Sequence, residues 1–149
     1  MFKTILLGLL LLCLCGCESY AYSHGTDYRT IAWNAAVNAG IPADKFVKQI
    51  DIESGFNPNA ISPAGAIGIA QFMPETAAGL GIDPYNPEQS LNGAAQLMAR
   101  YTAKYGDYRM ALAAYNAGSG TLQWAINNCG YYYWCLPAQT QRYIHMIMD

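Results

Sequence analysis

Apolar residues recur along most of this chain at the three- and four-residue spacing of helices, and turn-forming residues break them into segments. Thr26 or Asp27 is placed to cap a helix running to Ala39, with Gly40 just past its end. Pro42 suits the first turn of a second helix, which runs to Ser54 and stops at Gly55. Over residues 56–69 the content of Gly, Pro, Asn and Ser is too high for a long helix, and turns with a short hairpin are expected. Pro74 opens a brief helix ending near Gly79, and Asp83-Pro84 and Asn86-Pro87 then mark a turn. The longest helix is predicted over 87–105, where Leu91, Ala94, Ala95, Met98, Tyr101 and Thr102 form one stripe, and Gly106 ends it. Further helices are predicted over 107–116, 120–127 and 137–148, with Gly118 closing the first of them in a left-handed conformation. The pattern describes a mainly α domain without internal repeat, low-complexity tract or interdomain linker.

One stretch departs from this rhythm. Lys3 precedes an unbroken apolar run over 5–14, about half the length that a helix needs to cross a bilayer, so a secretory signal fits better than a membrane span. Leu14-Cys15-Gly16-Cys17 resembles a bacterial lipobox, which would make residues 1–16 the signal and Cys17 the lipidated residue and membrane anchor. Ser19-Tyr20-Ala21 offers the alternative of ordinary cleavage after Ala21, which would discard Cys17. The folded domain is expected over 22–149. Either cut leaves Cys129 and Cys135 as the remaining pair, and an oxidising compartment such as a periplasm would let them close one short disulfide loop. Zinc would need these two, His145 and a fourth ligand, with only His24 left among the histidines, so no metal site is expected.

Composition narrows the function. With 149 residues, 53% hydrophobic and 12% charged, the chain belongs with single folded domains and not with disordered segments. Its 8 Lys and Arg against 10 Asp and Glu are scattered, at net charge −2, so the basic patch that a nucleic-acid partner requires is missing.

The second helix carries the first chemical signal. Phe46, Val47 and Ile50 share one side, and Glu53 follows Ile50 by three residues and Phe46 by seven, which sets a carboxyl on the apolar stripe. Desolvation there disfavours the ionised form, raises the pKa and leaves a proton to donate near neutral pH. A helix-end Glu bending out to solvent before Gly55 is the competing reading.

The motifs that follow favour the first. Glu53-Ser54 opens the stretch, a Gly-x-x-Gln motif lies at 68–71, Ala-Tyr-Asn-Ala-Gly at 114–118, and a late tyrosine at Tyr143. These four, in this order, resemble the lytic transglycosylases of the soluble-lytic type, within the goose-lysozyme-like superfamily. The resemblance runs over about 31–147. Two features depart from it: Gln139-Thr140 stands where the family often has Glu-Thr, and the insertion over 127–136 carries both cysteines and Tyr131-Tyr132-Tyr133-Trp134.

The resemblance implies an α+β lysozyme-like fold, with the hairpin region directly after the catalytic helix, and action on peptidoglycan glycan strands in the periplasm or cell envelope, in some settings beside an envelope-spanning machine. It implies that Glu53 protonates the β-1,4 oxygen between N-acetylmuramic acid and N-acetylglucosamine. Glu53 would then accept the muramoyl C6 hydroxyl proton as that oxygen attacks C1, giving a 1,6-anhydro sugar without metal or organic cofactor. Ser62 and Gln71 would contact the sugar or the carboxyl, Met73 would line the groove, and Tyr115 would direct its hydroxyl at Glu53 or an N-acetyl group. Asn116 would hold a backbone or sugar contact, and Tyr143 would place its hydroxyl near the acid. Tyr131 to Trp134 would either stack on sugars or pack over the disulfide loop.

A muramidase of the goose-lysozyme kind would need a second carboxylate to activate water. Asp51 lies about 200° around the helix from Glu53, Glu75 is explained by the helix start it occupies, and Asp83 sits before a proline in a turn, so none is an obvious partner. A glycan-binding scaffold without activity is the remaining alternative.

Overall fold

The computed structural model describes residues 27–149. The signal segment, Cys17 with its lipidation, the cut after Ala21, His24 and Thr26 lie outside the described residues.

Among the described residues seven α-helices follow one another: α1 (Tyr28–Ala39), α2 (Ala43–Ser54), α3 (Pro74–Leu80), α4 (Pro87–Tyr105), α5 (Tyr108–Ala117), α6 (Ser119–Asn128) and α7 (Ala138–Met148), with a short 3-10 turn at Tyr132–Cys135. The caps show why the boundaries fall there. Asp27, Asn86 and Asp107 each accept a backbone N–H of the first turn of their helix, satisfying donors that have no partner within it. Pro42 precedes α2 instead of lying in its first turn, and α3 runs one residue beyond Gly79 to Leu80, where Gly81 takes the left-handed cap. Gly118 differs from expectation: at φ 87 and ψ 143 it has a positive φ but lies outside the left-handed helical region, and it ends α5 while starting α6. The reversal between two abutting helices needs that conformation, and with no side chain glycine adopts it freely.

The region expected to form a hairpin is reduced to two isolated antiparallel bridges, Ile61 with Ile67 and Ile67 with Phe72. Backbone pairs Ser62 N–H to Ala66 C=O (2.9 Å) and Phe72 N–H to Ile67 C=O (3.0 Å) hold this double turn together.

α5 is the hub, packing against α4, α6 and α7, while α1 packs on α4 and α2. Small buried side chains, Ala32, Ala35 and Ala36 on α1 with Ala94 and Ala95 on α4, allow the helix axes to approach closely. Phe46 and Ile50 of α2, Leu112 of α5 and Ile144 and Ile147 of α7 are fully buried in the same core. Contact between α2 and α7, and between α7 and α5, gathers the three helices that carry Glu53, Tyr143 and Tyr115.

Cys129 and Cys135 are joined as a disulfide, six residues apart, around the 3-10 turn. A ring this short restricts the unfolded chain modestly, so replacing both cysteines by Ser is expected to lower stability by about 2 kcal/mol in urea denaturation.

Candidate active site

Glu53 occupies the last turn of α2, one residue before Ser54, whose hydroxyl donates to the Ile69 carbonyl at 2.7 Å and ties the helix end to the double turn. The Glu53 carboxyl accepts a hydrogen bond from the Tyr143 hydroxyl at 2.5 Å. Burial pushes its pKa up to about 7, with the Tyr143 bond pulling the other way. Burial and the neighbouring Glu53 charge together push the Tyr143 hydroxyl well above its ordinary value, so it stays a donor.

The remaining motif residues build the walls. Tyr115 does not donate to Glu53: its hydroxyl donates to the Ala70 carbonyl at 2.7 Å, and its ring tilts against Phe72, clamping α5 to the double turn. Gln71 adopts a positive φ of 52° and its Nε2 donates to the Gly68 carbonyl at 2.9 Å and the Ala60 carbonyl at 3.3 Å. Ser62 Oγ accepts from the Ala66 N–H at 3.0 Å. Both side chains therefore fix the loop. Asn116 Oδ1 accepts from the buried Thr140 hydroxyl at 2.8 Å, which locks α5 to α7. Met73 is exposed at the start of α3.

Glu53, Ser62, Gln71, Met73, Tyr115, Asn116 and Tyr143 all line one open cleft of about 390 Å³. A second hollow of about 300 Å³ shares Gln71, Met73, Tyr115 and Asn116 with it and extends the trough toward Thr76 and Tyr101. Gln139 also lines the first cleft and was not among the expected contacts. The signal was present: four residues before Tyr143 on α7, it must share that tyrosine's face. Tyr131, Tyr133 and Trp134 do not line the cleft.

Among the described residues Glu53 is the only carboxylate lining this cleft. Asp51 pairs with Arg29 at 2.9 Å, the Asp83 carboxylate accepts the Tyr85 N–H at 2.9 Å, and Glu75 is exposed on α3. No Lys or Arg among the described residues lines it either, so with Glu53 protonated these walls are uncharged. No group of three or more His, Cys, Asp or Glu able to hold a metal ion occurs among the described residues.

A helical body with its acid at the end of one helix, over a vestigial β region, is the lysozyme-like arrangement. The transglycosylase SLT domain model matches residues 31–131, and the chain belongs to that family. A transglycosylase of Enterobacteria phage PRD1 is 33% identical over 99 residues, covering 66% of this chain and 36% of the relative. Peptidoglycan transglycosylase gp16 of Escherichia phage T7 is 35% identical over 114 residues, covering 70% of this chain and 9% of the relative. Membrane-bound lytic murein transglycosylase D of Escherichia coli K12 is 31% identical over 108 residues, 62% of this chain and 24% of the relative. The crystal structure of the 70 kDa soluble lytic transglycosylase of Escherichia coli superimposes with a TM-score of 0.70 at 25% identity, covering 81% of this chain and 23% of that one. The chain thus spans little more than a third of the longest-covered of these relatives and less of the others.

Proposed function

We propose that this chain is a peptidoglycan lytic transglycosylase that cleaves the β-1,4 bond between N-acetylmuramic acid and N-acetylglucosamine, with Glu53 as its single acid and base. The observation that carries this reading is the lone carboxyl in the cleft, with a pKa of about 7 and no carboxylate partner among the described residues.

At neutral pH a large fraction of Glu53 holds a proton. It gives this proton to the glycosidic oxygen as the C1–O bond breaks, and positive charge develops at C1 and the ring oxygen. The muramoyl C6 oxygen then attacks C1, its proton passing to the Glu53 carboxylate, so the acid is restored and a 1,6-anhydro sugar leaves. No second carboxylate is needed, because the nucleophile is held in the same ring and attacks intramolecularly. Tyr143 supports the step in which Glu53 is charged, since its hydroxyl donates to one carboxylate oxygen and leaves the other for the substrate. The uncharged trough suits a polymer of N-acetylated sugars.

The test is mass spectrometry of the muropeptides released from purified sacculi. Anhydro products, each lighter by one water than the reducing-end equivalent, are expected. Reducing ends would make the chain a muramidase, and no release would leave a glycan-binding scaffold.

The pKa of Glu53 sets the pH dependence. Because the first step needs the protonated acid, kcat/KM on soluble glycan strands should fall as pH rises through about 7. Tyr143→Phe removes the donor that favours the carboxylate, so this limb should move up by about one unit while kcat drops about tenfold or more. A limb left in place would separate Tyr143 from the acid.

We further propose that residues 1–16 direct export to the cell envelope and that Cys17 becomes the lipidated terminus, placing the domain over 22–149 beside the wall at a membrane surface. Ordinary cleavage after Ala21 is the other outcome, and intact-mass measurement of the mature N-terminus decides between them.

A further inference from the structure

The cleft holds only a short piece of a glycan strand, whereas the polymer continues beyond it. We propose that the disulfide-closed loop between α6 and α7 is a second glycan-binding site, an aromatic platform on which the strand stacks after leaving the cleft; this rests on the proposed activity toward peptidoglycan. Trp134 is 72% exposed and Tyr131 55%, whereas most other aromatic rings among the described residues are buried or half-buried. Trp124, on the neighbouring α6, is 57% exposed. These rings are held in place. The disulfide closes the loop, Tyr132 is buried beneath it, the Tyr133 hydroxyl donates to the Gln141 carbonyl at 3.1 Å, and Gln141 Nε2 donates to the Leu136 carbonyl at 2.8 Å. Tyr131 and Tyr133 both meet the Trp134 ring edge-on, at centroid separations of 6.4 and 5.3 Å. A rigid aromatic surface loses little entropy on binding.

Charge and position choose the occupant. Residues 127–141 contain no charged side chain and several amides, a composition suited to neutral sugars, whereas a loop meant for an anionic lipid surface would carry Lys or Arg. Trp134 is only five positions before Gln139, which lines the cleft, so their backbones lie within about 18 Å, a distance that a few sugar rings cover. Tyr132, Tyr133 and Trp134 lie just past the residues matched to the family, within the insertion over 127–136 that departs from the resemblance.

Binding is measured in a Glu53→Gln background, so that no strand is cut, with a tetrasaccharide and with long peptide-free glycan strands. Long strands should bind about tenfold more tightly than the tetrasaccharide. Trp134→Ala should abolish that advantage, and Trp134→Phe should restore most of it. The exposure of Trp134 leaves the fold intact on substitution, checked by an unchanged melting temperature. A length advantage surviving Trp134→Ala, an equal loss for both ligands, or Trp134-dependent binding to phosphatidylglycerol vesicles without glycan binding would overturn the platform. Failure of the underlying reading looks different: the parent chain would then release no anhydro-muropeptides from sacculi at all.

Discussion

Glu53→Gln is expected to lower glycan cleavage by about a thousandfold or more, while the domain remains folded and becomes more stable at alkaline pH. The amide keeps the shape of the carboxyl and still accepts the Tyr143 hydrogen bond, but it can neither give nor take the proton. General acid-base catalysis contributes about 10²–10⁴-fold, and here one group serves both halves of the reaction. The stability change has the opposite sign. The folded carboxyl has a pKa of about 7 against 4.5 for an unperturbed Glu, so between these values the folded state binds a proton that the unfolded state has lost. Stability is therefore full below 4.5 and declines as pH rises to 7. Above that, the folded chain carries a buried charge that costs about 3 kcal/mol. Thermal melts should show Glu53→Gln more stable than the parent by this amount at pH 8 and equal to it at pH 4. Equal melts at both pH values would mean that Glu53 titrates as if in water.

A second large effect is expected at Gly68. Its φ of 76° is strained for any L side chain, and a Cβ built there would stand 2.0 Å from the Pro84 carbonyl oxygen, which is backbone and cannot turn aside. Gly68→Ala should destabilise the domain by about 3 kcal/mol or more in urea denaturation. Activity should fall with it, because the Gly68 carbonyl also accepts the Gln71 side chain on the cleft wall. Gly65→Ala supplies the control. Gly65 has a φ of 88° with nothing within 4 Å of the added carbon, so it carries only the backbone term, about 1 kcal/mol. Equal losses at the two positions would remove Pro84 from the explanation.

The helices were legible because their signals are local. Asp27 sits beside the residues it caps, Gly40, Gly55 and Gly106 stand where helices end, and the apolar stripe of α2 places Glu53 within one helix. What was not legible depends on contacts between distant segments. The Tyr115 hydroxyl is taken by Ala70, 45 residues away, and periodicity gives no sign of that partner. Gln71 and Ser62 read in the motif as contacts to the sugar or the carboxyl; both line the cleft, and periodicity gives no sign that their hydrogen bonds also shape the loop that forms its wall. Gly118 was recognisable as a breaker, but which positive-φ conformation it takes depends on where α6 must go. The aromatic insertion offered two uses, and only the tertiary structure shows it standing clear of the cleft.

The central claim is that one carboxyl holds a proton at neutral pH inside the sugar trough. The direct measurement is a carbon-13 NMR titration of the Glu53 side-chain carboxyl, assigned by its disappearance in Glu53→Gln. The expected midpoint is about 7; a midpoint near 4.5 would contradict the account, because an acid already ionised at neutral pH has no proton to give the glycosidic oxygen.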